Sequence, residues 1–110
     1  MNTASRKAKG RRLQQYVRDK LLEYFPNLTE RDVKSTPMGV SGEDIWLSES
    51  ANSIFPYSIE CKNHERINIW DAIKKTEQTN RREKGVLVFK RNKSKVYCVL
   101  EFEEFLRLVK

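Results

Sequence analysis

The chain reads as an α/β fold with a mixed central β-sheet flanked by helices, and three observations carry that expectation. Leu13, Val17, Leu21 and then Tyr24/Phe25 recur every three to four residues, the period of a helix with one apolar stripe. Tyr57, Ile59 and Cys61 alternate with Ser58, Glu60 and Lys62, the period of a strand. Phe102, Phe105, Leu106 and Val109 return to helical spacing.

Taken in order, the first helix is expected from about Ser5 or Lys9 to Phe25, where Pro26 removes a backbone donor and stops it. Arg11, Arg12, Arg18 and Lys20 fall largely off its apolar stripe, and residues 1–9 read as a disordered basic arm ahead of it. Residues 32–36, partly β-branched and closed by Pro37, read as a short edge strand. The next five, 38–42, hold two glycines and read as a turn. Residues 43–47 follow as a strand, with Asp44 and Trp46 on one side and Ile45 and Leu47 on the other. Residues 48–56 read as a plain connection to the strand 57–62. A helix is expected over about 67–82, with Ile69, Trp70, Ile73 and Glu77 on one face. Gly85 opens a strand over 86–90, residues 91–94 read as a hairpin loop, and 95–100 as its partner. The last helix starts at Glu101. The order is α-β-β-β-α-β-β-α, one domain spanning 1–110.

Composition narrows the function. Hydrophobic residues make up 38% of 110, enough for one core, and Lys+Arg 22 against Asp+Glu 15 leaves a net charge of +7. A pI near 9.6 in so small a chain points to a polyanion, nucleic acid before membrane. No run of about 18 apolar residues exists to span a bilayer. The basic start is not followed by an apolar stretch, so it does not read as a secretory signal. Cys61 and Cys98 lack a CxxC pairing and read as two reduced, buried thiols; with His64 they are too few for structural zinc. The expected compartment is the cytoplasm.

Charge is distributed unevenly. Residues 1–20 carry seven basic side chains and one acid, and residues 62–95 carry eleven against four. Between them, residues 21–61 carry two basic side chains and seven acids. Basic flanks suit phosphates, and central carboxylates suit a cation held against them. Glu60 and Lys62, two apart on a strand, share a face. If Asp44 on the preceding strand pairs alongside, its carboxylate and that of Glu60 converge on one point and repel unless a proton or divalent cation lies between them. Oxygen ligands of this kind suit Mg²⁺, with Mn²⁺ as an alternative. Lys62 would then orient or help deprotonate a metal-bound water, or stabilise charge on the attacked phosphate.

Gly42-Glu43-Asp44 followed sixteen residues on by Glu60-Cys61-Lys62, after an N-terminal helix, resembles the PD-(D/E)xK nuclease superfamily. Within it the chain is most similar to archaeal-type Holliday junction resolvases and small phage endonucleases, through Lys9-Gly10, Ser41-Gly42 and Glu60-Cys61-Lys62-Asn63. The resemblance covers roughly residues 9–100. It implies the αβββαβ restriction-endonuclease-like core, Asp44 and Glu60 as metal carboxylates, the Cys61 backbone carbonyl as a further ligand, and Lys62 as the catalytic lysine. Glu43 replaces the motif's proline, and Gln14 stands where the resolvases carry a glutamate in the first helix. The resolvases act as dimers, which implies a homodimer here.

Around this centre, Glu43 reads first as a solvent-facing neighbour and second as an auxiliary ligand. His64 and Ser41 are auxiliary candidates for phosphate or water contacts, weighed against plain loop residues. Trp46 and Trp70 read as core or interface positions, with base stacking by Trp70 as a lesser reading. Lys9, Arg11, Arg12, Arg81, Arg82, Lys84, Arg91 and Lys93 are the expected contacts to the DNA backbone. The resulting expectation is a Mg²⁺-dependent DNA endonuclease acting on branched or structured DNA. Its competitors are a simple nicking nuclease, a non-catalytic nucleic-acid-binding module and an interaction protein whose charge serves docking.

Overall fold

A computed structural model describes residues 3–37, 43–79 and 84–110. The elements run α1 (Thr3–Tyr24), β1 (Val33–Ser35), β2 (Ile45–Leu47), α2 (Glu49–Ile54), β3 (Ser58–Asn63), α3 (Ile69–Thr79), β4 (Gly85–Lys90), β5 (Tyr97–Val99) and α4 (Phe102–Val109). This is the expected mixed α/β architecture, compatible with a restriction-endonuclease-like core. Its strands form two sheets: an antiparallel β1–β2 pair, and β3–β4–β5 with β3 parallel to β4 and β5 antiparallel.

The α1 stripe behaves as its spacing requires. Leu13, Val17 and Leu21 are buried and pack with Val33, Ile45, Leu47, Ile59 and Cys61 in one cluster. Hence α1 lies on the Ile59/Cys61 face of β3. Phe25 closes the cluster's edge by an edge-to-face contact with Phe55, their centroids 6.0 Å apart, and Phe55 stacks in the same manner on Tyr57 at 5.0 Å. The helix starts at Thr3, so the basic residues 6–9 stand on its first turns and not in a disordered arm. Nothing in Ala4-Ser5-Arg6-Lys7-Ala8 opposes a helix, whose propensity is high for Ala, Arg and Lys.

Residues 48–56 contain α2, which the sequence reading passed over as plain connection. Ser48 caps it: its hydroxyl oxygen accepts the Ala51 N–H at 3.1 Å, while its own O–H donates to Asp32 at 2.7 Å. Ala51 is then fully buried on the common core.

On the other face of β3, α3 is set down by small residues. Ala72 and Thr76, one turn apart, are buried, and Thr76 donates its hydroxyl to the Ala72 carbonyl at 2.9 Å. The face expected to be apolar is displaced accordingly: Ile69 and Ile73 are half-buried, while Trp70 is 81% exposed and Glu77 is exposed. Trp46 is also outside the core, exposed beneath the Lys34 ammonium at 5.4 Å. Cys98 is exposed because β5 is the sheet's edge strand, whereas Cys61 is buried under α1.

Helix α4 is inverted relative to its expected role. Its buried residue is the carboxylate Glu104, 6% exposed, while Phe102, Phe105, Leu106, Leu108 and Val109 are exposed. Glu104 accepts the Tyr57 hydroxyl at 2.9 Å and pairs with Lys84 at 3.2 Å and Arg107 at 3.1 Å. Burial pushes its carboxyl upward, but Tyr57, Lys84 and Arg107 together outweigh burial and hold it below the ordinary range. A polar anchor therefore fixes α4 to the start of β3 and β4.

Candidate active site

The site forms where β2 begins beside β3. Asp44 precedes β2; its backbone N–H donates to the Ile59 carbonyl at 3.2 Å, and its carboxylate accepts the Cys61 N–H at 2.7 Å. Those two bonds join the two sheets and fix the Asp44 side chain against the middle of β3. Within an extended strand the N–H and C=O of one residue leave the same edge, so the Cys61 carbonyl faces the Asp44 side too. Thr36 holds the preceding residue, donating its hydroxyl to the Glu43 carbonyl, with 2.6 Å between the oxygens. Glu43 itself is buried, contrary to its expected solvent-facing position, because the chain here turns into the sheet.

Glu60 and Lys62 project from the opposite face of β3, beneath α3. Glu60 is 2% exposed, and its Oε2 lies 3.8 Å from the ammonium of Lys75 on α3. Lys62 is half-buried beside the same ammonium. Burial first, and then Lys75, lower its pKa, while Glu60 and Asp44 act in the opposite direction. The Cys61 thiol feels both carboxylates: burial, then Asp44, then Glu60 push it well above its usual value. Two acids and two lysines are thus gathered around three consecutive residues of β3.

Gln14 is buried in α1 and accepts the Ser35 hydroxyl at 2.9 Å, which places it at the α1–β1 contact. His64, just past β3, lies in a cationic neighbourhood; desolvation first, then Lys62, Arg6 and Lys9 hold it below the ordinary histidine range. Ser41 lies outside the described residues, as do Arg81 and Arg82.

The parallel strands β3 and β4 end together at Asn63 and Lys90, and a groove of about 700 Å³ opens there between α1 and the β4–β5 turn. Crevices beyond the carboxyl ends of parallel strands are a common place for ligands in open α/β sheets. Lys9, Arg12, Lys90, Lys93 and Lys95 line this one, with Tyr16 and Asn63. The Asn63 amide donates to the Lys9 carbonyl at 3.5 Å, tying the groove to the end of the strand that carries Glu60 and Lys62. Lys93 is held at φ 63° in the turn closed by the Ser94 N–H to the Arg91 carbonyl, a left-handed position that costs a non-glycine residue about 1 kcal/mol. Lys9, Arg12 and Lys93 therefore meet in space, and Arg11 and Arg91 are exposed close to them in sequence. Lys84 does not join them, since its ammonium is engaged by Glu104 at the other end of β4. Arg18 and Lys20, farther along α1, pair with Asp19 and Glu23.

Lys75, Lys90 and Lys95 are site neighbours that sequence reasoning did not name. For Lys75 the signal was present: Ala72 and Thr76 mark the α3 face that meets the sheet, and Lys75 flanks them.

Among the described residues no group of three or more His, Cys, Asp and Glu side chains is placed to hold a metal ion. The oxygen groups that could hold one are the Asp44 and Glu60 carboxylates and the Cys61 carbonyl. Hard oxygen ligands, few in number, fit a cation that keeps most of its waters and shares the rest of its shell with a phosphate. Among the described residues no helix is long and apolar enough to cross a membrane.

An Asp just before β2 and a Glu-x-Lys on β3, in an α/β fold of this architecture, match the PD-(D/E)xK pattern. A family model described as "Phage putative PDDEXK endonuclease" matches residues 5–109, and the chain belongs to that family. No curated protein and no solved structure matches it.

Proposed function

We propose that the chain is a Mg²⁺- or Mn²⁺-dependent DNA endonuclease that hydrolyses phosphodiester bonds in branched or otherwise structured DNA, in the cytoplasm of a bacterial or phage-infected cell. The observation that carries the reading is the Asp44–Cys61 hydrogen bond, which brings the Asp44 carboxylate to the strand that holds Glu60 and Lys62. Asp44, Glu60 and the Cys61 carbonyl would hold the cation, which supplies a Lewis acid and a water of lowered pKa. Lys62 would orient the attacking water or stabilise the charge gathering on the phosphate. Lys9, Arg12 and Lys93 hold the backbone of the DNA beside the site. Incubation with supercoiled plasmid and with a four-way junction, with and without Mg²⁺, tests the reading. Nicking that persists in excess EDTA, or no cleavage of either DNA, overturns it.

Backbone contacts of this kind release counterions without reading bases, so affinity should fall linearly in log[salt]. Arg12→Glu and Lys93→Glu should weaken binding to every DNA sequence alike. Lys93→Gly separates the two roles of that position: the fold gains about 1 kcal/mol as the left-handed strain goes, while DNA binding still weakens. Fluorescence anisotropy across a salt series, with thermal melts of the same variants, checks both. A flat salt dependence removes the groove from the DNA path.

Two strands of a junction need two sites, and a C2 dimer supplies them. The exposed face of α4, with Phe102 70% exposed, and Trp70 beside the same α3–α4 cleft are the surface the dimer would bury. Light scattering at micromolar concentration should give twice 13.0 kDa, returning to the monomer value in Phe102→Glu. A protein monomeric both alone and on DNA is a nicking enzyme instead.

A further inference from the structure

Lys75 has no place in the sequence motif, yet it reaches Glu60 from α3. Its ammonium is 3.8 Å from Glu60 Oε2, and its side chain is half exposed while that of Glu60 is almost wholly enclosed. It also lies beside Lys62, near enough to depress that lysine's proton affinity. Two ammonium groups drawn together at one buried carboxylate repel each other, and a structural role alone would need only one of them. The pair makes sense if the second lysine serves two partners in turn: Glu60 while no cation is bound, and a phosphate once the carboxylate is taken. The placement of Lys75 favours this. The Lys75 side chain is half exposed on the surface of α3, apart from the buried Ala72/Thr76 contact that seats the helix, so its ammonium can turn outward without unseating α3.

We infer that Lys75 is a positioning residue that competes with the divalent cation for Glu60 and, on being displaced, turns to the substrate phosphate. The inference rests on the nuclease reading above. Loss of the Lys75 charge then has opposite effects on two measurements. Removing a like charge from beside the cation's ligand tightens metal binding, by threefold to tenfold on the order of magnitude expected for a partly screened neighbour. Removing a cation from beside the phosphate slows cleavage, by about tenfold. A residue that merely supports the fold would weaken both.

The experiment titrates Mn²⁺ into the DNA-free protein by isothermal calorimetry, for wild type, Lys75→Gln, Lys75→Arg and Lys74→Gln, and measures cleavage of one plasmid by each. Lys74 is exposed on the adjacent position of α3 and controls for the change in net charge. Tighter Mn²⁺ binding with slower cleavage in Lys75→Gln, near-normal values in Lys75→Arg and an unaltered Lys74→Gln are the expected results. Unchanged or weaker Mn²⁺ binding in Lys75→Gln, or an equal gain in Lys74→Gln, overturns the role assigned to Lys75 while leaving the nuclease reading in place. Absence of Mn²⁺ binding by wild type overturns both. Thermal melts of the four proteins show that each comparison is made between folded molecules.

Discussion

Asp44→Asn and Glu60→Gln should each lower cleavage by on the order of 10³ or more, because in the proposed mechanism each removes a charge that would hold the cation. DNA binding should stay as tight or become tighter, since a negative charge facing phosphate is lost. The choice of amide over alanine matters for Asp44. Its carboxylate accepts the Cys61 N–H at 2.7 Å, and the Asn side-chain oxygen can accept the same bond, so the junction of the two sheets survives. Asp44→Ala would keep the backbone bond to Ile59 but lose the bond to Cys61, weakening that junction and confusing folding with catalysis. Glu60→Gln is equally close in shape, but removes the charge that Lys75 pairs with at 3.8 Å and that also acts on Lys62, so some loss of stability accompanies it. Circular dichroism and thermal melts separate that loss from the catalytic one. Full cleavage by either variant would remove these carboxylates from the active site.

Lys62→Ala should slow cleavage by on the order of 10² or more, the range for general acid–base and charge-stabilising groups. Its affinity for Mg²⁺ should change far less, because in the proposed mechanism Lys62 would attract the developing charge of the reaction and would not be a ligand. The side chain is half-buried, so truncation costs some packing as well as charge. Single-turnover rates at saturating Mg²⁺ and DNA isolate the chemical step from both effects. The measurement is informative against Lys75, which stands at the same carboxylate. If Lys75 could take over the role, Lys62→Ala would retain much of its rate and Lys62→Ala/Lys75→Gln would lose it. Near-normal turnover in the double variant would remove both lysines from the reaction.

The sequence by itself determined what depends on periodicity and on short spacing. The α1 stripe of Leu13, Val17 and Leu21, the inward Ile45 and Leu47, and the alternation along β3 all follow from where a side chain must point in a helix or strand. The shared face of Glu60 and Lys62 was legible for the same reason. Periodicity reports that a stripe exists, but not what covers it, and tertiary structure decided those cases. The apolar stripe of α4 is turned outward because Tyr57 and Lys84 capture Glu104, and Tyr57 is 47 residues away from it in the chain. Trp70 is exposed because the smaller Ala72 and Thr76 let α3 approach the sheet on their side. The approach of Asp44 to Cys61 across 17 residues, and of Lys75 to Glu60 from the far helix, are likewise contacts between elements. Such contacts are set by how sheets and helices dock, a balance of burial and polar pairing summed over the whole core, and no local window of sequence contains it.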